Sequence, residues 1–459
     1  MCEAKSLETE RGDVRHHIGE APVLPPNNQH QRRHRSKSPN SMGFWWTSCV
    51  TVLGTAIIVA WIPNLLSPDP PKGNIDGFVI PRLKKVSDTF RLHLLSEEEK
   101  GAAFAVIKDG EIVVDLWGGY ADIEAWQPWK ESTVANTFSL YTMVASLSLG
   151  LLHERGLLDF DKPVTFYWPE FERHNKGKIT VRNILSEESG LSRLNRSVSI
   201  ADISNDEFLS EELANQVIVP PDYLWCDGDL GILELYINQL VRRVDPKSRS
   251  LKEFFVEEFA AKLDLDFYVG LPLAEQHRAA RVRGHGFSVI FEVFFAPIEL
   301  YYTLVSYMRP STFTEINSIR RLNDPGIRSL SIGSVAGFAS ARAIAKLYNS
   351  AILVGPNNTS PSISEDTWLH MHGIPHIHKK RLLKKIGVAS NWTMTAAGQM
   401  RTSPKGSKLI GYSGFGGQYA FVDQENNISM AYLTNYNSIY RSQLDPRFRS
   451  LLRALYDSI

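Results

Sequence analysis

Cysteine is scarce in this 459-residue chain: Cys2, Cys49 and Cys226 are the whole complement. Three thiols so widely separated build neither a disulfide framework nor a cysteine-based zinc site. Excess charge of one sign is also lacking. Lysine plus arginine and aspartate plus glutamate both number 50, which argues against a general nucleic-acid binder, because such proteins carry a basic surplus. No residue pattern asks for a cofactor or a metal, and neither is expected. What is present suits a packed globular protein, with 43% hydrophobic and 22% charged residues. The length allows one large or two modest domains.

Residues 1–42 read as a disordered tail. They are polar and without apolar periodicity, contain Pro25 and Pro26, and close on the basic residues Arg32, Arg33, Arg35 and Lys37. Residues 43–62 then run without a charge, and about 20 such residues cross a bilayer core. Trp45, Trp46 and Trp61 lie near the ends of this run, as interfacial anchors do. A cleaved signal peptide competes with this reading, but the basic lead-in is long and no small-residue cleavage site follows. The flanking charges predict a single-pass protein with a cytosolic N-terminus and a lumenal or extracellular domain. The sequons at Asn195, Asn357, Asn358, Asn391 and Asn427 all follow the span and are candidate glycosylation sites. A mitochondrial presequence is disfavoured by Glu3, Glu8, Glu10, Asp13 and Glu20. Residues 63–80, with Pro68, Pro70 and Pro71, read as a stiff linker.

Residues 81–459 read as one α+β domain. A helix is predicted over 81–98. Two apolar β-rich runs flank Asp109 and Gly110, a hairpin signal. Leu140, Met143, Val144, Leu147, Leu151 and Leu152 recur at helical spacing, and Gly156 is the expected stop. The stretch 408–434 alternates and is punctuated by glycine, so adjacent antiparallel strands are expected, followed by a closing helix from Pro446 to Tyr456. Strands early, helices in the middle and strands late imply one sheet joining both chain ends. The very apolar run 286–308 contains Glu292, Pro297 and Glu299, which oppose a second membrane span. It reads as core or a covering flap, with a protein or lipid contact surface as the alternative.

Several blocks together resemble the serine β-lactamase-related, penicillin-binding-protein-like family, especially its eukaryotic β-lactamase-domain members. They include Asp115–Asp122, Arg155–Leu158 with Tyr167–Phe171, Ile179–Arg182 with Ile184–Ser186, Arg242–Asp245, Leu265–Pro272 and Gly411–Gly417. The resemblance spans about 77–459 and implies that family's fold, an antiparallel sheet beside a helical region. It also implies a site. The family's Ser-x-x-Lys places a nucleophile and a proton-accepting amine one helical turn apart. Counting back from Arg155 and Gly156 puts the serine at Ser139 and the lysine position at Thr142, whose hydroxyl is no base near neutral pH. The family's tyrosine motif falls on Gly228, with Tyr223 five residues early. Its Lys-Thr-Gly or His-Ser-Gly triplet reads Tyr412, Ser413 and Gly414. The Leu-Ser-His block ends instead in Glu187.

The candidate site is therefore Ser139 as nucleophile, Tyr412 as a base or orienting group if its pKa were strongly lowered, and Thr142, Gly228, Ser413 and Gly414 lining the cleft. Cys226 reads as a packed thiol, and Asp227 and Asp229 as turn residues. Two functions follow as expectations. The first is a catalytically impaired, membrane-anchored protein that acts by binding or scaffolding. The alternative is an active serine hydrolase with Ser139 as nucleophile and a rewired base.

Overall fold

The computed structural model describes residues 74–191, 194–218, 231–283, 312–316, 318–353, 362–372, 393–414, 416–437 and 444–459, with Thr51 and Thr55. The tail 1–42, the remainder of 43–62, Cys226, Gly228, Asn357, Asn358, Asn391 and the run 286–308 lie outside the described residues. Among the described residues no helix is long and apolar enough to cross a membrane. The chain divides into two compact units, Met1–Asp69 and Pro70–Ile459, and the second carries the fold.

Its large sheet is antiparallel and draws on both chain ends. In chain order, β1 (Ile75–Val79), β2 (Gly101–Lys108) and β3 (Glu111–Asp122) come from the N-terminal side. Next come the two-residue β4 (Gln127–Pro128) and β5 (Ala135–Asn136), then β6 (Phe267–Val269) and β7 (Gly337–Ala339). The C-terminal side supplies β8 (Thr393–Thr395), β9 (Gly398–Thr402), β10 (Lys408–Ser413), β11 (Tyr419–Asp423) and β12 (Ile428–Thr434). The spatial order is β1-β3-β2-β12-β11-β10-β9-β8, with β4 on β3. The two ends meet where β12 pairs with β2, Met430 opposite Val106. Strands β5, β7 and β6 form a separate small sheet.

The β2–β3 connection is the expected tight turn. Asp109 and Gly110 both have positive φ, 53° and 81°, the conformation a two-residue hairpin turn needs. The expected linker 63–80 is corrected at its end. Ile75–Val79 is an edge strand, with Phe78 opposite Asp115. Proline marks where a chain is stiff, but whether the next residues find a free sheet edge depends on a partner some forty positions on.

Helices cover both faces of the sheet. The helices named below are, in chain order, α1 (Lys84–Leu95), α2 (Tyr141–Glu154), α3 (Ile232–Val244), α4 (Ala341–Ile352), α5 (Glu365–His372) and α6 (Pro446–Tyr456); α3 and α5 pack on α2. Alternation along β2 shows the layering. Ala102, Phe104 and Val106 join a core with Val86 and Phe90 of α1 and Phe448 and Leu452 of α6. Ala103, Ala105 and Ile107 join the larger core with α2, α3 and α4. Successive strand residues face opposite sides, so a strand covered on both sides is apolar throughout. That explains the unbroken run at 102–107.

Candidate active site

Ser139 lies on the single 3₁₀ turn Phe138–Leu140, just before α2. From Thr133 to Gly150 every residue is buried except Ser139 and Thr142, which are partly exposed. The two lie three apart at the start of a helix, so they share one face. The positions aligned with the family's serine and lysine are thus the two that reach an open surface.

The turn is held from below. Phe138, a bulky residue, has φ of 46°, a left-handed conformation that costs on the order of 1–3 kcal/mol and persists only when the surroundings enforce it. Asn136 enforces it. Its Oδ1 accepts from the Phe138 N–H at 2.8 Å, and its Nδ2 donates to the Val335 carbonyl at 2.7 Å. The Thr137 N–H donates to the Gly337 carbonyl at 2.9 Å. Residues 333–337 therefore strap the turn from the side of the small sheet. Gly333 sits flush on the Tyr141 ring, where a Cβ would lie 2.3 Å from ring carbons.

Glu234 of α3 holds the strap in turn. Its carboxylate accepts from the Gly333 N–H (2.6 Å), the Ser334 N–H (2.9 Å) and the Ser334 hydroxyl (2.6 Å). Burial pushes this acid up from 4.5 to about 7, against the opposing pull of those donors. Neither Asn136 nor Glu234 was legible as a site residue. Their partners are distant in the chain, and neither lies in a motif of its own.

The structure places the other candidates as follows. Tyr412 is buried. Its hydroxyl is 2.7 Å from the Ser146 Oγ, and Ser146 gives its only proton to the Ala396 carbonyl at 2.8 Å. The phenol is therefore the donor in that pair. Burial raises its pKa, and the negative charge of Glu187 raises it further. The condition for a Tyr412 base, a strongly lowered pKa, is thus reversed, because β10 turns this side chain into the core beneath α2. Ser413 turns the other way and donates to Gln399 Oε1 at 2.8 Å. Gly414 lies against the turn itself, where a Cβ would be 3.3 Å from the Thr137 carbonyl oxygen. Ser139, Thr142 and Gly414 are therefore brought together. Tyr412 and Ser413 flank the cleft strand without presenting a base, and Gly228 lies outside the described residues. Among the described residues none hydrogen-bonds to the Ser139 hydroxyl.

Two further expectations have structural settings. Asn195 is exposed. Asn427 is half-buried in the β11–β12 turn, and its amide donates to Asp109 at 3.2 Å. Among the described residues, one group has metal-like spacing: Asp159, Asp161 and His370 bring ligand atoms within 4.8 Å of one another. A guanidinium already fills that role, because Arg182 bonds both Asp161 oxygens at 2.7 and 3.1 Å and lies 3.2 Å from His370 Nε2.

Comparison with known proteins extends this picture. The Beta-lactamase family profile matches residues 93–452. The chain is 27% identical to the Mycobacterium tuberculosis protein Esterase/beta-lactamase LipL over 376 residues, 78% of this chain and 82% of that protein. It is 34% identical over 147 residues to the human Serine beta-lactamase-like protein LACTB, mitochondrial, 31% of this chain and 26% of that one. The solved structure of a family VIII carboxylesterase superposes with a TM-score of 0.69 at 27% identity, covering 84% of this chain and all of the other. The relatives are bacterial as well as mammalian, which broadens the expected eukaryotic grouping. With the sheet, the helix-start serine and the family match in agreement, the chain belongs to the Beta-lactamase family of penicillin-binding-protein-like serine hydrolases.

Proposed function

We propose that the domain is a slow serine hydrolase directed at acyl esters, with Ser139 as its nucleophile. One observation carries this reading: Ser139 is partly exposed just before a largely buried helix, on a turn held in strained geometry. Strain of that kind collects at reactive sites, and the similarity to LipL and to a family VIII carboxylesterase favours esters as the substrate class. The Ser139 Oγ would bond to the ester carbonyl carbon and release its proton. Collapse would expel the alcohol, and water would then cleave the acyl-serine to give the acid. The position that would offer an amine for that proton is Thr142, so the proton goes to solvent. A missing general base costs about 10²–10⁴ in rate.

A second reading, binding of acyl ligands without turnover, is favoured by Thr142 together with the donor role of the Tyr412 hydroxyl. A fluorophosphonate probe on the full-length chain separates the two. The hydrolase reading expects slow stoichiometric labelling that Ser139→Ala abolishes, with folding stability changed by less than about 1 kcal/mol. No adduct after prolonged exposure leaves the binding reading. The same proposal keeps 43–62 as a single membrane anchor with the domain on the lumenal or extracellular side, supported by the basic flank and by the sequons after it. It keeps 286–308 as a protein or lipid contact. Protease protection in sealed vesicles tests the topology: digestion of the domain from the cytosolic side rejects it.

A further inference from the structure

We infer that Glu234 is a positioning residue for Ser139, acting through the strap 333–337 to hold the turn that carries the nucleophile. The inference rests on the reading of Ser139 as nucleophile. Three observations carry it. First, the connection is unbroken: Glu234 binds the N–H groups of Gly333 and Ser334, the Val335 and Gly337 carbonyls bind Asn136 and Thr137, and Asn136 binds the strained Phe138 N–H. Second, the strap also touches the turn by packing, because Gly333 lies against the Tyr141 ring. Third, the acid is costly where it stands. Glu234 is 8% exposed, and among the described residues no cation pairs with it. Residues Gly333–Ala336 of the strap form one helical turn, and capping it does not require this acid, since a serine or aspartate at position 332 would do so locally. Here that position is Ile332, and the acceptor arrives from 99 residues earlier in the chain. The carboxylate's hydrogen-bond partners are Gly333 and Ser334 of the strap, and its charge reaches Tyr141 of α2, whose phenol is pushed up by burial and by Glu234.

The test uses the full-length chain with Glu234→Gln and Glu234→Asp. Glutamine keeps one acceptor and turns its NH₂ toward the Ser334 donors, so the strap loses two of its three bonds to this side chain. Two readouts are taken: fluorophosphonate labelling of Ser139, split into maximal rate and probe affinity, and hydrogen exchange of the Phe138–Leu140 amides against those of α6. Displacing a reacting group by about 1 Å costs up to about 10²-fold. The expected result for Glu234→Gln is therefore a fall of about 10-fold or more in maximal rate with affinity unchanged, partly restored in Glu234→Asp. Exchange should rise at the turn and not at α6. An unchanged rate with unchanged exchange overturns the inference, and so does a uniform rise across the domain. Absence of labelling in the wild type defeats the hydrolase reading alone, and the exchange pattern then decides the positioning role by itself. If neither variant folds, Ser334→Ala removes one of the three bonds and should shift both readouts less, in the same directions. No shift there overturns the inference.

Discussion

Two buried acids are held differently: Glu99, on the outer face of the large sheet that α1 and α6 cover, and Glu234, on the inner side with α2 and α3. On the outer face, Glu99 accepts from Tyr432, from Thr434 at 2.9 Å and from Arg447 at 2.8 Å, and Arg447 also pairs with Asp445 at 2.8 Å. Each charge of this cluster has a partner of opposite sign, and the cluster clamps α6 to β12 and to the start of β2, where the Gly101 N–H also donates to Glu99. On the inner side, Glu234 meets only hydrogen-bond donors of Gly333 and Ser334 and, among the described residues, no cation. Around the Ser139 turn the Thr137 and Tyr141 hydroxyls, and the Gln418 side-chain oxygen beside Gly414, are buried without hydrogen-bond partners among the described residues. Closing a polar network is the rule for a structural region.

Breaking the clamp should have the largest effect. Arg447→Ala leaves Glu99 and Asp445 buried and unpaired, so urea unfolding should show a loss of about 3–5 kcal/mol. Labelling of Ser139 in the protein that remains folded should proceed at its ordinary rate. A stability change below the measurement error would remove the distinction between the two acids. The second prediction concerns pH. The folded-state value of Glu234, about 7, lies above its unfolded 4.5, so the folded state holds the proton more tightly. Its contribution, roughly 3 kcal/mol at most, is complete below pH 4.5 and is lost as pH rises to about 7. Subtracting the unfolding profile of Glu234→Gln from that of the wild type should therefore give a curve that falls across this window. A flat difference would mean that the acid is ionised throughout.

The third prediction sharpens the inner side alone. Thr142→Lys restores an amine one turn from Ser139 at a position already open to the surface. Hydrolysis of a p-nitrophenyl ester should rise by about 10²-fold, short of a complete family site because Tyr412 stays locked in the core. A rate equal to wild type would show that the absence of this amine is not what limits Ser139.

Much of the fold was legible because local patterns carry it. The Asp109–Gly110 turn, the helical spacing from Leu140 to Leu152 and the alternation over 408–434 each depend on neighbours within a few residues. Edge strand β1 was not legible, since Ile75–Val79 is a strand only because β3 has a free side. The site was half legible. Ser139 and Thr142 follow from register against a family pattern, and their shared exposure agrees with it. Tyr412 also took its place by register, yet register carries no information about which way β10 turns a phenol or what it meets there.

Sequence by itself determined the helix that begins after Ser139, its apolar character, and the absence of a lysine at position 142, because covalent order and 3.6-residue periodicity are properties of a short segment. Tertiary structure alone decided that the Tyr412 hydroxyl donates to Ser146, 266 positions away, and that Glu234 anchors the strap beneath the serine. A buried polar group takes its protonation and its partners from whatever the folded chain packs around it, and those neighbours come from segments with no sequence relation to one another.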